Sequence, residues 1–407
     1  MTSNFLGILL AILVPVINIL TAPLVKIVDS SYKSVSERAG GFIKGVCHAN
    51  PDFDMLHEAN IEWIREDIPY PFDENGEENF FYKWTKQEML QYVEKGIKIF
   101  AVTPNPNDFL ANGLDIRREE DYEKIMAVQR YYVEDLRGIV SAYQVANEMG
   151  VDRFTDPYTM EEAAYFVGES LKAMYPLVKD EIVGYNLGGM GYVNLTFKML
   201  KYNDYCDYVG VDIYLGCFEN IVKNIDTFFT LMNLVRVITR KPIIITEFGY
   251  IGCGEPKTEE EKQEILRSYG FESEEEVKND VDTFISRLPA SLKDEIERLY
   301  SGKTDEEKFD LLFNGEYKHH IYRELSEGTG LKGYEHTPEG QADFYSYLIP
   351  KIRSKPWCIG AIIYMWHDSE ACYVCGQSDC PVETGWGLVD GSGNPKPAFY
   401  AVKKALE

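Results

Sequence analysis

Positive charge is in short supply along this chain of 407 residues: 41 Lys and Arg stand against 66 Asp and Glu, a formal net charge of −25. A surface of that sign repels phosphate backbones and anionic headgroups, which excludes nucleic acid as a partner. A phosphate-cradling loop is also missing, because Gly188-Gly189-Met190-Gly191 has neither the spacing nor the lysine of a nucleotide site. No internal repeat or low-complexity tract is present. Cysteine is sparse and mostly scattered: Cys47, Cys206, Cys217, Cys253 and Cys358 sit largely in apolar stretches and read as buried thiols. Cys372, Cys375 and Cys380 form C-x₂-C-x₄-C, which with a fourth ligand such as His367 has the makings of a zinc site, or of a disulfide outside the cell. A second C-x-x-C is missing, so no metal is assigned.

Charge is absent altogether from Phe5 to Val25. Residues 1–30 are therefore a signal, an anchor or a helix packed on a soluble body. The first two readings make the protein secreted or membrane-anchored, with possible membrane association through residues 5–25, and the third makes it cytoplasmic. Pro15, Asn18, Thr21 and Pro23 interrupt the segment and no lysine or arginine precedes it.

Apolar residues, by contrast, make up 45% of the chain, enough for one large core. Eight β-rich runs alternate with helical segments: 41–47, 61–66, 97–102, 140–146, 182–186, 208–214, 242–247 and 359–366. Several are continuous apolar stretches, as strands buried on both faces require. Eight such strands close a (β/α)₈ TIM barrel, expected over residues 41–407. Thr85-Lys86-Gln87-Glu88 and Thr159-Met160-Glu161-Glu162 read as capping boxes opening two of its helices. Over a hundred residues separate the seventh and eighth runs. The charged stretch 255–334 within them, with helical period at 273–288 and 290–300, is expected to be a helical insertion.

In a barrel the chemistry sits where strands end. Glu148 follows the fourth run and Glu247 ends the seventh, and a carboxylate at the end of an apolar strand is costly unless paired or used. Asn147-Glu148 and Thr246-Glu247-Phe248-Gly249, in that barrel order, resemble the signature of the clan A glycoside hydrolases, a set of (β/α)₈ retaining β-glycosidases. The resemblance extends from about Gly41 to the last residue. It places Arg65 beside the nucleophile, Tyr214 in contact with the same carboxylate, and Trp366 as the aromatic on which a sugar stacks. By burial and charge alone, Tyr214 and Trp366 serve equally as core aromatics and Arg65 as a partner of Glu66 or Asp67. The tail Glu383-Thr384-Gly385-Trp386-Gly387-Leu388-Val389-Asp390 also resembles such families, whereas Thr103-Pro104-Asn105 stands where many of them place a histidine.

The resemblance implies a retaining glycoside hydrolase acting on β-glycosidic bonds of a poly- or oligosaccharide. Glu148 would be the acid/base, Glu247 the nucleophile, and Asn147 the group that hydrogen-bonds the sugar 2-hydroxyl, with no cofactor. Glu148 must begin protonated, a state that the negative charge of Glu247 favours. His48 and His367 fall at strand ends and are placed at the same mouth by position. Two other classes compete. A carbohydrate-binding barrel without turnover has no need of two carboxylates in its cleft. A metal-dependent barrel hydrolase needs ligands converging from several strand ends, where only His48 and His367 are available.

Overall fold

The computed structural model describes residues 30–407 apart from 190, 218–224, 301, 316 and 326–329, and before residue 30 only 16, 19 and 20. The apolar segment 5–25 thus lies, those three residues aside, outside the described residues, among which no helix is long and apolar enough to cross a membrane. Eight strands form a closed barrel in chain order: β1 Ile43–Cys47, β2 Trp63–Asp67, β3 Lys98–Val102, β4 Val140–Val145, β5 Ile182–Leu187, β6 Tyr208–Ile213, β7 Ile243–Phe248 and β8 Cys358–Ile363. Every neighbouring pair is parallel, and β1 closes the ring on β8. With helices wound between the strands, this is the (β/α)₈ TIM barrel.

The continuous apolar runs follow from burial on both strand faces. Ile43, Cys47, Trp63, Phe100, Ala142, Ile182, Tyr208, Ile244 and Ile362 fill the barrel interior. Their neighbours along the strands, among them Val46, Ile64, Ile99, Tyr143, Val183, Val209, Ile245 and Ile363, face the outer helices. The N-terminal end of the barrel is plugged by the helix Ser30–Ala39, whose Val35 and Ala39 join the interior cluster. Arg38 on that helix ion-pairs with Asp207 and donates to the Glu181 carbonyl at 3.1 Å, both residues lying just before strands at that end.

Helix starts were half legible. The Thr159 box opens the helix Met160–Met174, with the Thr159 and Glu162 side chains each bonded to the other's backbone N–H. Thr85, however, lies inside a helix that runs Phe80–Glu94 and is capped by Asn79, whose side chain accepts from the Tyr82 N–H at 2.9 Å. An S/T-x-x-E spacing also occurs on a helix already under way, and the stronger N-cap lay six residues upstream.

Between β7 and β8 the described residues form six helices, Glu259–Ser268, Glu274–Asn279, Val281–Arg287, Ala290–Tyr300, Asp305–Phe313 and Tyr317–Tyr322, before the barrel's own outer helix Pro338–Arg353. The run 273–288 is two helices rather than one, broken at Asp280, which leaves helical dihedrals at φ −150° and ψ 58°. The insertion has its own apolar centre, where the Phe284 ring meets Tyr269, Phe271 and Phe313 at centroid separations of 5.4, 5.5 and 5.5 Å.

Candidate active site

Glu247 is penultimate in β7 and buried at the barrel mouth. Arg65, from the middle of β2 and 2% exposed, places Nη1 2.6 Å from Glu247 Oε1. The Tyr214 hydroxyl, one residue beyond β6, donates to the other oxygen, Oε2. Both oxygens of one carboxylate are thus held, one by a buried cation and one by a phenol. Arg65 is spoken for on its other edge too, with Nη2 donating to Asn147 Oδ1 at 2.7 Å and both Nε and Nη2 within 3.4 Å of Gln144 Oε1. It pairs with Glu247, so the simpler expectation of a bridge to Glu66 or Asp67 does not hold. A planar five-donor fork suits this role, since it bridges two strands without rotating away.

The segment after β4 is set by three consecutive backbone N–H groups, each donating to a side chain from a neighbouring strand end. Ala146 donates to Thr103 Oγ1 at 3.3 Å, Asn147 to Asn105 Oδ1 at 2.6 Å and Glu148 to Asn186 Oδ1 at 2.9 Å. These bonds hold Ala146 and Glu148 at φ 58° and 48°, a left-handed conformation that residues with side chains adopt at a cost. Thr103-Pro104-Asn105, the segment that departs from the resembled pattern, is therefore part of the clamp on this turn. The Asn147 amide oxygen accepts from Arg65, Gln144 and Asn186 at 2.7, 3.0 and 2.9 Å, which leaves its NH₂ as the end that can be offered to a ligand. Glu148 packs its carboxylate on bare backbone: a Cβ added to Gly188 would lie 2.5 Å from Glu148 Oε1.

Beneath the two glutamates lies Asp212, 3% exposed, accepting from Thr246 Oγ1 and Asn186 Nδ2. Burial, then the fields of Glu247 and Glu148, push its carboxyl well up toward the neutral form. Glu383, in the short helix Pro381–Thr384 after β8, is a further buried carboxyl that feels the charge of Glu247. Burial foremost, with the fields of Cys372 and Glu247, raises it to about 8 against the pull of Arg153 and a hydrogen bond from Tyr373.

Of the sequence-selected residues, Glu148, Glu247, Asn147, Arg65 and Tyr214 come together. His48 stands at the mouth, its ring edge-on to Tyr364 at 5.9 Å and its Nδ1 3.8 Å from Glu66. Trp366 is not brought to the pocket: it is fully buried three residues past β8, its Nε1 donating to Asp52 at 3.2 Å. His367 likewise turns to Asp52, at 3.2 Å. The aromatic beside the carboxylates is Tyr364, 5.7 Å from Tyr214 and half-buried, with Trp386 behind both rings at 5.0 and 5.7 Å. The Tyr364–Met365 peptide is cis. The cysteine triplet finds its fourth neighbour in His320 rather than His367. Asn186 and Asp212 lay inside runs already read as strands and Tyr364 inside the eighth. Their end-of-strand position was the available signal.

No family model and no curated protein matches the chain. Solved structures do. A family 39 glycoside hydrolase from Bacteroides cellulosilyticus is similar over 91% of this chain and 64% of its own, with a TM-score of 0.53 and 15% identity. A family 2 β-galacturonidase from Eisenbergiella tayi, in complex with galacturonate, covers 90% of this chain and 51% of its own at TM-score 0.51 and 13% identity. A Faecalibacterium prausnitzii β-glucuronidase covers 90% and 49% at TM-score 0.51 and 14% identity. The chain spans about half to two thirds of the length of these proteins. The likeness defines the class of fold, the TIM-barrel domain found in glycoside hydrolases of families 39 and 2.

Proposed function

We propose that the protein is a retaining glycoside hydrolase that cleaves β-glycosidic bonds by double displacement, with Glu247 as nucleophile and Glu148 as acid/base. The observation that carries this reading is the clamp on Glu247. A carboxylate that must attack an anomeric carbon needs to be aimed and unable to rotate, and a buried arginine on Oε1 with a tyrosine on Oε2 provides both. Attack forms a glycosyl–Glu247 ester while Glu148 gives its proton to the departing oxygen. Water then displaces the sugar, with Glu148 accepting the water proton. Once the ester forms, Glu247 is neutral and the bias against an ionised Glu148 is relieved, so one residue serves as acid and then as base. The Asn147 NH₂, fixed by its three-donor oxygen, is offered to the sugar 2-hydroxyl, a contact that strengthens as the oxocarbenium character grows. Asp212 pushed toward its neutral form keeps a third negative charge out of the floor. The substrate partner is a carbohydrate.

The test is turnover of a panel of aryl β-glycosides and polysaccharides by wild type and Glu247→Ala, the latter with and without azide. Loss of turnover in the variant, with partial return as an inverted glycosyl azide, is the expected result. A wild type that binds a sugar on the panel but turns over none of them would replace the reading with a carbohydrate-binding barrel.

A further inference from the structure

We infer that Cys372, Cys375, Cys380 and His320 hold one zinc ion, which ties the helical insertion to the loop that walls the candidate active site. The three thiols come from the loop after β8, while His320 lies on the helix Tyr317–Tyr322 of the insertion, more than fifty residues earlier. The four ligand atoms lie within 4.8 Å of one another and all four residues are buried. With Zn–S bonds of about 2.3 Å, a tetrahedral site has S···S edges of roughly 3.8 Å, so these atoms are already grouped at nearly the size of a coordination shell. His320 points Nδ1 into the group, 3.4 Å from Cys372 Sγ and 3.8 Å from Cys380 Sγ.

The turn between the first two cysteines is built for such an ion. The Cys375 N–H donates to Cys372 Sγ at 3.4 Å, Gly376 N donates back to the Cys372 carbonyl at 2.7 Å and Gly376 sits at φ 70°. This fold of C-x-x-C-G puts two sulfurs on one side of a tight turn and points a backbone N–H at one of them, the arrangement of a metal-binding turn. A disulfide explains the geometry less well. It would use two of the three sulfurs, leaving a buried thiol and a buried imidazole converging on nothing. Three thiolates and one imidazole make a borderline-soft set that selects zinc over calcium or magnesium. Because the protein fills all four positions, the ion would be structural, with no open coordination site for substrate. Its place in the fold says what it would brace: Tyr373, between the first two ligands, donates toward Glu383 and meets Arg153 at 3.1 Å, and Arg153 in turn pairs with Glu295 of the insertion at 3.3 Å. The assignment does not depend on the glycosidase reading.

The experiment is metal analysis of the untagged full chain, purified under reducing conditions. About one equivalent of zinc per chain is expected. Replacing it with cobalt(II) is expected to give thiolate-to-cobalt charge transfer in the near ultraviolet and the strong visible bands of a tetrahedral ion. Cys375→Ser and His320→Ala should each lower the metal content at least about tenfold, and His367→Ala should leave it unchanged. Three results would overturn the assignment. The first is wild-type protein that takes up neither zinc nor cobalt after reconstitution. The second is a metal-free chain whose intact mass shows two of these cysteines joined. The third is stoichiometric iron in place of zinc. The cobalt spectrum is read on wild type, so variants that fail to fold do not blunt the test.

Discussion

The two held oxygens of Glu247 make different demands on their partners. Arg65 cannot be removed without leaving Gln144, Asn147 and a buried carboxylate short of a donor, so its variants report on folding as much as on chemistry. Tyr214 is the cleaner probe, because Tyr214→Phe keeps the ring that packs on Tyr364 and Trp386 and deletes only the hydroxyl. A hydrogen bond to a charged group contributes about 1.5–3 kcal/mol, so kcat/KM on the active sugar should fall roughly 10- to 100-fold, with the thermal midpoint lowered by no more than the loss of that one bond accounts for. Steady-state kinetics beside a melting curve checks this, and unaltered kinetics would remove Tyr214 from the site. Gly188→Ala probes the other acid. Its new methyl would meet the Glu148 carboxylate at 2.5 Å, and Glu148 must then move. The expected signature is a drop in kcat of at least about tenfold on substrates with poor leaving groups, which need protonation, and a smaller drop on nitrophenyl glycosides, which do not. His48 carries the pH dependence. Burial opposes its charge, yet the neighbouring carboxylates of Glu66, 3.8 Å away, and Asp67 prevail and raise it to about 9 from its ordinary 6.5. The folded state therefore holds a proton that the unfolded chain has released. Its stabilising effect is complete below about pH 6.5 and is lost as pH rises through about 9. His48 sits at φ 52°, which asparagine tolerates, so His48→Asn is the suitable comparison. The gap in melting temperature between wild type and variant should shrink from pH 6.5 to 9, and a constant gap would sink the assignment.

At the scale of elements, the strands were legible because a strand buried on both faces is written as a short apolar run, and all eight runs overlap the eight observed strands. Their ends were less so. The eighth run continues in apolar residues to Trp366, but pairing stops at Ile363, so composition could not say that the residue presented to the pocket is Tyr364 and that Trp366 turns into the packing. Arg65, Glu148, Tyr214 and Glu247 were visible as polar residues closing apolar strands. The clamp of Thr103, Asn105 and Asn186 on the turn after β4 was not, because it depends on which backbone N–H faces which strand end, a matter of register around the ring. His320 was hidden for a similar reason: only the folded insertion brings it to cysteines fifty residues away. Among the helices, the Thr159 box offers a measure of how much local signals contribute. Thr159→Ala removes the acceptor for the Glu162 N–H and the partner of its carboxylate, and should lower stability by about 1 kcal/mol in denaturant melts without changing kcat/KM. No loss would mean that packing alone fixes the start of that helix.

For the whole molecule, the division of labour between the two ends of the barrel makes its own prediction. The mouth gathers Arg65, Glu148, Asp212, Glu247 and Glu383, groups that strain against burial and one another. The opposite end is closed by Val35 and Ala39 under the interior side chains, with Arg38 anchored to Asp207 and the Glu181 carbonyl. Barrels of this class separate function at the C-terminal ends of the strands from stability at the N-terminal ends. A carboxylate placed in the plug should therefore damage folding and spare the chemistry. Val35, 5% exposed, becomes in Val35→Asp a buried charge packed into the apolar interior cluster. That burial should cost several kcal/mol and lower the thermal midpoint by many degrees. The kcat of the fraction that stays folded, counted by active-site titration, should remain within about twofold of wild type, because nothing in the plug touches the clamp on Glu247. If kcat fell in step with stability, the interior would be transmitting strain from floor to mouth, and the barrel would have to be treated as one mechanical unit.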